Sequence, residues 1–298
     1  MRPEPIDLDS SSPERIRRCE GLRVLGIAQP FSPQCTLAPV SESEAEKELR
    51  RERATAAALE ARAQTDVALD QPLECIVTTV EQSFDLVVVI AQLGDGLAGA
   101  YATLPEMNVA LIAGKDAAVR RRFTLAHELG HHFLGHGPGF DTNLSLNDEV
   151  DPDESSANRF AAEFIAPRPA VERFVSELDD KAPTLDLVCR LANHFALSPK
   201  AARIRLETAE VVTDRALLGK LDAEIDDRQA KGCFERLGLE DRDDLCRLQP
   251  EQLPRLPAAV CNSALADFLA GNIDASQLAA TIGRSSEQVE EALGRSVV

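Results

Sequence analysis

The hydrophobic and polar positions early in the chain predict two consecutive helices. Over 41–69, Glu, Lys, Arg and Ala follow one another at the density of a helix, and Ser41 with Glu44 has the spacing of an N-terminal capping box. A second helix is predicted after Pro72, because apolar residues there recur every fourth position and so share one face. Both helices precede the first pattern that is typical of a strand.

Three short strands and one long helix come next in the pattern. Residues 84–90 form a β-branched run that favours a buried strand, and 97–103 and 107–112 predict two more. The following helix begins near residue 117 and ends at Gly135, because glycine is typical of a helix C-terminus. The sequence therefore predicts a small sheet that leads directly into one amphipathic helix.

The rest of the chain predicts helices with polar connections. An acidic loop is predicted over 138–152, and a helix over 154–165 that stops before Pro167. Further helices are predicted over 169–209 and, with Gly and Pro breaks, over 210–298. Helices combined with a small sheet make the predicted fold class α+β, with a mostly helical C-terminal domain.

Composition and charge exclude several classes of protein. The chain has 298 residues, and its longest apolar run, residues 86–91, is far shorter than the roughly 20 residues of a membrane helix. The net charge of −18 repels nucleic-acid phosphate. No secretory signal is visible, and the seven cysteines include no Cys-x-x-Cys pair, which favours a reducing, cytoplasmic setting. We therefore expect no membrane association, while the oligomeric state stays open.

One pentad, His127-Glu128-Leu129-Gly130-His131, indicates metal chemistry. Residues four apart on a helix differ by roughly 40° around its axis, so His127 and His131 leave the same face and can hold one Zn²⁺. Glu128 lies beside them and is the candidate general base for a water that the metal activates. Such a pentad also arises by chance, but its place on an amphipathic helix after a strand strengthens the prediction of a metal-dependent hydrolase.

A catalytic zinc needs a third protein ligand and an open position. His132 and His136 lie about 140° and about 180° from His127 around the helix, so we expect both to be surface or packing residues. A carboxylate from the next helix is the better candidate. Glu154 fits that role, since the neighbouring Asp151 and Asp153 suit the loop or the helix cap.

Two stretches carry a resemblance to a known family. The run from Arg122 to His136 resembles the metal-site helix of the ImmA/IrrE family of zinc metallo-endopeptidases, and the run from Glu154 through Asn158 to Pro167 resembles that family's second motif. Residues 107–112 are similar to its edge strand.

The resemblance implies a zincin-like core with His127, His131 and Glu154 as metal ligands and Glu128 as the general base. We expect Asn158, one turn beyond Glu154, to hydrogen-bond around the site. The implied cofactor is Zn²⁺, with Mn²⁺ as an alternative in the cell. The implied activity is limited cleavage of a protein substrate, a helix-turn-helix repressor, in a stress-response or mobile-element setting.

These patterns divide the chain into three predicted parts. Residues 1–40, which are rich in Pro and Ser, are expected to form an irregular N-terminal arm. Residues 41–209 are the expected peptidase domain, including a helix-turn-helix-like segment at 186–208. Residues 210–298 are the expected helical C-terminal domain. The polar stretch 138–153 is a candidate lid, which would keep resting activity low.

Two segments leave other functions open. The helix-turn-helix-like segment carries Lys200, Arg203 and Arg205, which suit either phosphate contacts or packing on the core, and the net charge favours packing. A second such unit, 276–293, carries three glutamates on its last helix, which favours protein contact. The alternatives to a peptidase are a catalytically silent metal module that binds a repressor, a DNA-binding regulator, and a metal hydrolase of non-peptide substrates.

Overall fold

The structure is a computed structural model that describes residues 42–105, 107–142, 151–239 and 253–295. The chain divides into two compact units, residues 1–47 and residues 48–298. The first unit is described only from residue 42, two residues before the first helix begins. The predicted arm over 1–40 lies outside the described residues.

Along the described part of the chain, helices precede, separate and follow the strands of a four-stranded sheet. The helices before the sheet and around it are α1 (Glu44–Ala63), α2 (Ile76–Ser83), α3 (Ala118–Leu134), α4 (Pro152–Ile165) and α5 (Arg168–Glu177). The later helices are α6 (Leu185–Phe195), α7 (Pro199–Thr208), α8 (Arg215–Asp226), α9 (Gln229–Leu237), α10 (Ala258–Leu269), α11 (Ala275–Thr281) and α12 (Ser286–Arg295). The strands are β1 (Leu86–Ala91), β2 (Leu97–Leu104), β3 (Met107–Ala113) and β4 (Gly139–Thr142). The predicted α+β fold class is confirmed.

The sheet has the strand order β1-β3-β2-β4. β1 and β3 are parallel, β2 is antiparallel to β3, and β4 is antiparallel to β2. The expectation that residues 107–112 form an edge strand is therefore wrong, because β3 is paired on both sides. The expectation of an unbroken loop over 138–152 is also wrong, because β4 lies within it and adds to the free side of β2.

The first helix is capped two residues later than predicted. The Ser43 N–H donates to Glu46 Oε2 at 2.8 Å, and the Glu46 N–H donates to Ser43 Oγ at 3.3 Å. Ser43 and Glu46 have the same spacing as the predicted pair, Ser41 and Glu44, so the local pattern allowed both registers. Ser41 itself lies outside the described residues.

A single buried apolar cluster joins α3 to the sheet and to α4. It includes Leu125 and Leu129 of α3, Val88 of β1, Ile112 of β3 and Phe160 of α4. α3 ends at Gly135, which takes a left-handed conformation with φ of 70°. Burial of this face fixes the orientation of α3, so its opposite residues point to the space between α4 and β2.

The helix-turn-helix-like pair, α6 and α7, is attached to the core by a buried ion pair. Arg205 Nη2 donates to Glu163 Oε2 at 2.6 Å, and both side chains are about 1% exposed. Arg205 Nε also donates to the Ala166 carbonyl at 2.7 Å. The other two cations of α7 are paired as well, since Lys200 and Arg203 each lie within 2.7 Å of Asp222. Arg205 thus packs on the core, as the net charge favours, and the alternative of a phosphate contact does not hold for this residue because its guanidinium faces the interior.

The residues after 209 contribute to three different buried clusters, one of which joins Ala230 and Cys233 of α9 to Cys189 of α6. Leu218 and Leu221 of α8 belong to the same cluster as the α3 core, whereas Leu278 and Val289 belong to a small separate one. The domain boundary between 209 and 210 stays a prediction. No helix in the described ranges combines the length and apolar character that a membrane crossing requires.

Replacing Arg205 by Ala will destabilise the fold far more than the same change at Lys200. Removing one partner of a buried ion pair leaves an uncompensated charge and costs about 3–5 kcal/mol. Lys200 pairs with Asp222 at the surface, where such pairs contribute roughly 0–1 kcal/mol. Urea unfolding followed by circular dichroism measures both free energies, and equal losses for the two variants would show that the Glu163 pair is not structural.

Candidate metal centre

Helix α3 places the pentad against the interior of the protein. His127 and Glu128 are 0% exposed and His131 is 7% exposed. The two imidazoles leave the same face, and their Nε2 atoms are 2.9 Å apart. This is the distance of a hydrogen bond between the two rings, and it places both nitrogens where a small shift would let them share one ion. The predicted convergence of His127 and His131 is present.

Helix α4 brings Glu154 to the same point. The Asp151 carboxylate caps this helix by accepting the N–H groups of Asp153 and Glu154. The Asp153 carboxylate is exposed and pairs with His136, so neither rival for the third ligand joins the cluster. Glu154 Oε2 lies 3.3 Å from His127 Nε2, and Oε1 lies 3.9 Å from His131 Nε2. Glu154 therefore stands where the sequence predicts the third ligand.

The close approach of α4 to α3 depends on Gly130, which directly precedes His131 in the pentad. A Cβ atom at Gly130 would lie 3.2 Å from Ala157 Cα and from Phe160 Cβ, closer than ordinary packing allows. Without that atom the two helices pack directly on each other, which brings Glu154 and Asn158 within reach of His127.

Asp141 completes the group, although the sequence did not single it out. It lies on β4 opposite Gly99 of β2, and its Oδ2 atom is 3.3 Å from His127 Nε2 and 3.9 Å from His131 Nε2. One donor atom from each of His127, His131, Asp141 and Glu154 lies within 4.8 Å of the others. We call these four residues the ligand cluster. β4 has only four residues, which is too short for an alternating pattern to predict a strand. The only hint in the sequence is an acidic residue, Asp141, six positions after Gly135 at the end of α3.

The ligand cluster fits a divalent metal ion. Two imidazole nitrogens and two carboxylates are donors that Zn²⁺ accepts, and tetrahedral ligands of zinc stand about 3.3 Å apart. The separations of 2.9 to 3.9 Å within the cluster bracket that value. Burial of Asp141 and Glu154 together also needs a compensating positive charge. The identity of the metal stays a prediction.

Glu128 lies next to the cluster in a space that glycine leaves open. A Cβ atom at Gly99 would lie 2.2 Å from Glu128 Oε1, so any larger residue on this part of β2 would displace the carboxylate. Burial raises the pKa of Glu128 well above its ordinary value, and the charges of Asp141 and Glu154 raise it further.

The opposite charges of the ligand cluster shift the pKa values of its members. Burial by itself lowers the pKa of His127, but the carboxylates of Asp141 and Glu154 outweigh burial and raise that pKa to about 9. Burial raises the pKa of Asp141, but His127 has the larger net effect and holds it well below its ordinary value. The imidazoles and carboxylates of the cluster therefore attract each other strongly.

The outer nitrogens of both histidines contact other side chains. Asn158 Oδ1 lies 3.0 Å from His127 Nδ1, which is the contact expected of Asn158. His136 Nδ1 lies 2.9 Å from His131 Nδ1, so His136 borders the site instead of the surface. His132 points elsewhere, with its Nδ1 atom 3.1 Å from the hydroxyl of Tyr101. Angular position on the helix excluded His136 as a ligand but did not reveal this contact, because residue 136 lies beyond the helix end at Gly135.

Replacing Glu154 by Ala will remove most of the bound metal, because the variant loses a buried carboxylate ligand. Glu177→Ala serves as the control, since Glu177 is an exposed carboxylate on α5 that pairs with Arg173. Zinc content is measured by mass spectrometry after dialysis against a weak chelator. Full zinc retention in Glu154→Ala would transfer the third-ligand role to Asp141.

Replacing His136 by Ala will weaken metal affinity by about 10- to 100-fold, the range found when a partner of a metal-bound histidine is lost. The same replacement at His132, the neighbouring helix position that contacts Tyr101, is expected to leave the affinity unchanged. Competition with a fluorescent zinc chelator measures both. Equal affinities for the two variants would contradict a positioning role for His136.

Comparison with known proteins gives one family. Residues 81–207 match the family model described as Peptidase_M78, IrrE N-terminal-like domain. The matched range runs from α2 to α7 and contains every residue of the ligand cluster as well as Glu128. No curated protein matches the sequence at a significant level.

Proposed function

The chain contains an IrrE N-terminal-like domain of the Peptidase_M78 family, and we propose from this premise that it is a zinc-dependent endopeptidase making limited cuts in a protein substrate. The resemblance of the sequence to the ImmA/IrrE family is thereby confirmed, and so is its zincin-like metallopeptidase core. The observation that carries the proposal is the meeting of His127, His131 and Glu154 at one buried point, with the Glu128 carboxylate beside it.

The roles of the residues follow from their positions. His127, His131 and Glu154 would hold the ion, and Asn158 and His136 orient the two imidazoles. A bound Zn²⁺ or Mn²⁺ would supply Lewis-acid activation of a water and polarisation of a peptide carbonyl. Glu128 is the proton carrier, taking a proton from the attacking water and delivering it to the leaving amine.

We propose a helix-turn-helix repressor as the substrate, in a stress-response or mobile-element setting and in the cytoplasm. This part of the proposal comes from the resemblance to ImmA/IrrE proteins. The four cysteines among the described residues, Cys75, Cys189, Cys233 and Cys261, are free thiols, which is compatible with a reducing compartment.

The ion pairs of α7 favour a protein target over DNA. Lys200 pairs with Asp222, and Arg203 pairs with both Asp222 and Glu207. Arg205 pairs with Glu163. A DNA-reading helix needs its cations available to phosphate, and the net charge of −18 opposes such contact further. These observations support an α6–α7 pair that packs on the peptidase core, and we expect no direct DNA binding.

One observation favours a second function. The ligand cluster has four protein ligands, and structural metal sites are closed in this way, whereas catalytic sites keep one position open. A catalytically silent metal module that binds a repressor is therefore the alternative, and it depends on whether Asp141 stays in place.

Replacing Glu128 by Gln will abolish cleavage and leave the metal bound, because the amide cannot carry the proton while His127, His131 and Glu154 are unchanged. The assay co-expresses the full chain with a helix-turn-helix repressor from the neighbourhood of its gene and follows the repressor by immunoblot. Glu177→Gln is the control, since this exposed residue pairs only with Arg173 among the contacts described. Repressor cleavage by Glu128→Gln at the normal rate would mean that the proposed mechanism is wrong.

A further inference from the structure

The strand β4 occupies the sheet edge that passes the candidate site. Gly139 pairs with Tyr101, Phe140 with Ala100, and Asp141 with Gly99. Gly99 is also the residue whose missing side chain accommodates Glu128. The part of β2 that lies against the proton carrier is therefore already paired, and its partner is a segment of the same chain.

An extended substrate has to use the same place. To be cut, a peptide must bring one carbonyl group next to Glu128 and the ligand cluster. Extended peptides bind by adding a strand to a free sheet edge, where backbone hydrogen bonds hold them. Since β3 covers the other side of β2, the side that β4 covers is the one available near Glu128.

Asp141 fills the remaining position at the metal. Its Oδ2 atom is as close to His127 Nε2 as the Glu154 carboxylate is, both at 3.3 Å. With Asp141 present the site has four protein ligands, and without it the site has the three ligands and one open position that catalysis requires. One short strand thus blocks both the peptide groove and the position where a water or a carbonyl would bind.

We propose that residues 139–142, which we call the plug segment, hold the peptidase in a closed resting state and leave β2 when a substrate strand replaces them. This inference rests on the proposed function and deepens it, because it identifies the bound segment of the substrate as a β-strand that pairs antiparallel with β2. The plug segment is suited to exchange: it is only four residues long, lies at a sheet edge, and follows Gly135, Gly137 and Pro138.

The register of β4 is consistent with a removable strand. Its pairing with β2 shifts between Leu97 and Gly99, so the ladder is interrupted close to Asp141. Because the hydrogen-bond ladder is short and irregular, the contacts of the Asp141 carboxylate with His127 and His131 also hold β4 in place. Replacing the carboxylate should release the segment without affecting the core.

The test uses the full chain loaded with Co²⁺, whose visible absorption reports ligand binding, and azide as the probe. Asp141→Ala is compared with the wild-type protein and with Asp95→Ala, a control at an exposed residue that pairs with Lys115. In the wild-type protein only the open fraction of molecules can bind azide, which weakens the apparent affinity by that fraction. Asp141→Ala should be open in all molecules, so we expect it to bind azide at least about tenfold more tightly. Asp95→Ala should bind azide as the wild type does.

A second variant separates the strand from the ligand. Replacing both Gly139 and Phe140 by Pro removes one N–H group that faces β2 whichever way the ladder alternates, and it keeps all four members of the ligand cluster. We expect tighter azide binding here as well. If azide binds more tightly in Asp141→Ala but not in the double Pro variant, the role of the strand is contradicted, and azide would simply replace the Asp141 carboxylate.

The remaining outcomes distinguish this inference from the proposed function. Equal azide binding in wild type and Asp141→Ala, or loss of Co²⁺ from Asp141→Ala, would overturn the plug segment, since the site would be either open already or dependent on Asp141. Tighter azide binding together with faster repressor cleavage supports both proposals. Tighter azide binding with no cleavage supports the plug segment and contradicts the peptidase function.

Discussion

Three carboxylates and two imidazoles share one buried region, and their charges dominate the structure around it. Glu128, Asp141 and Glu154 come from a helix, a strand and a second helix, and each is at most 6% exposed. Negative charges that are removed from water in such proximity require a compensating cation. A divalent ion held by His127 and His131 would supply it, and the packing of α3, α4 and β4 brings the four residues of the ligand cluster together.

The features that the sequence predicted correctly are those that depend on residues close together in the chain. The helical spacing of His127 and His131 is a property of five consecutive residues, and the amphipathic periods on either side predicted α3 and the first three strands to within a few residues. Glu154 came from the choice among nearby carboxylates and from family resemblance. Asn158 followed from its place one turn beyond Glu154. These features depend on neighbours in the sequence, so no knowledge of the tertiary structure was needed.

Nonlocal contacts account for what the sequence did not predict. Asp141 reaches the site because β4 pairs with β2, roughly forty residues earlier in the chain, and no local periodicity encodes that pairing. His136 and His131 meet beyond the helix end, where angular reasoning no longer applies. Arg205 has the sequence position of a phosphate-binding residue, but its partner is Glu163 in another helix, so the buried ion pair was invisible from either segment alone.

The central claim is that one divalent ion, held by nitrogen and oxygen donors, balances the buried carboxylates. X-ray absorption at the zinc edge on the full chain tests it most directly. The account predicts about one zinc per chain with two imidazole nitrogens and carboxylate oxygens at about 2.0–2.2 Å. A chain that binds no metal, or a zinc with sulfur ligands at about 2.3 Å, would contradict it, because the cation would then be absent or held by cysteines elsewhere.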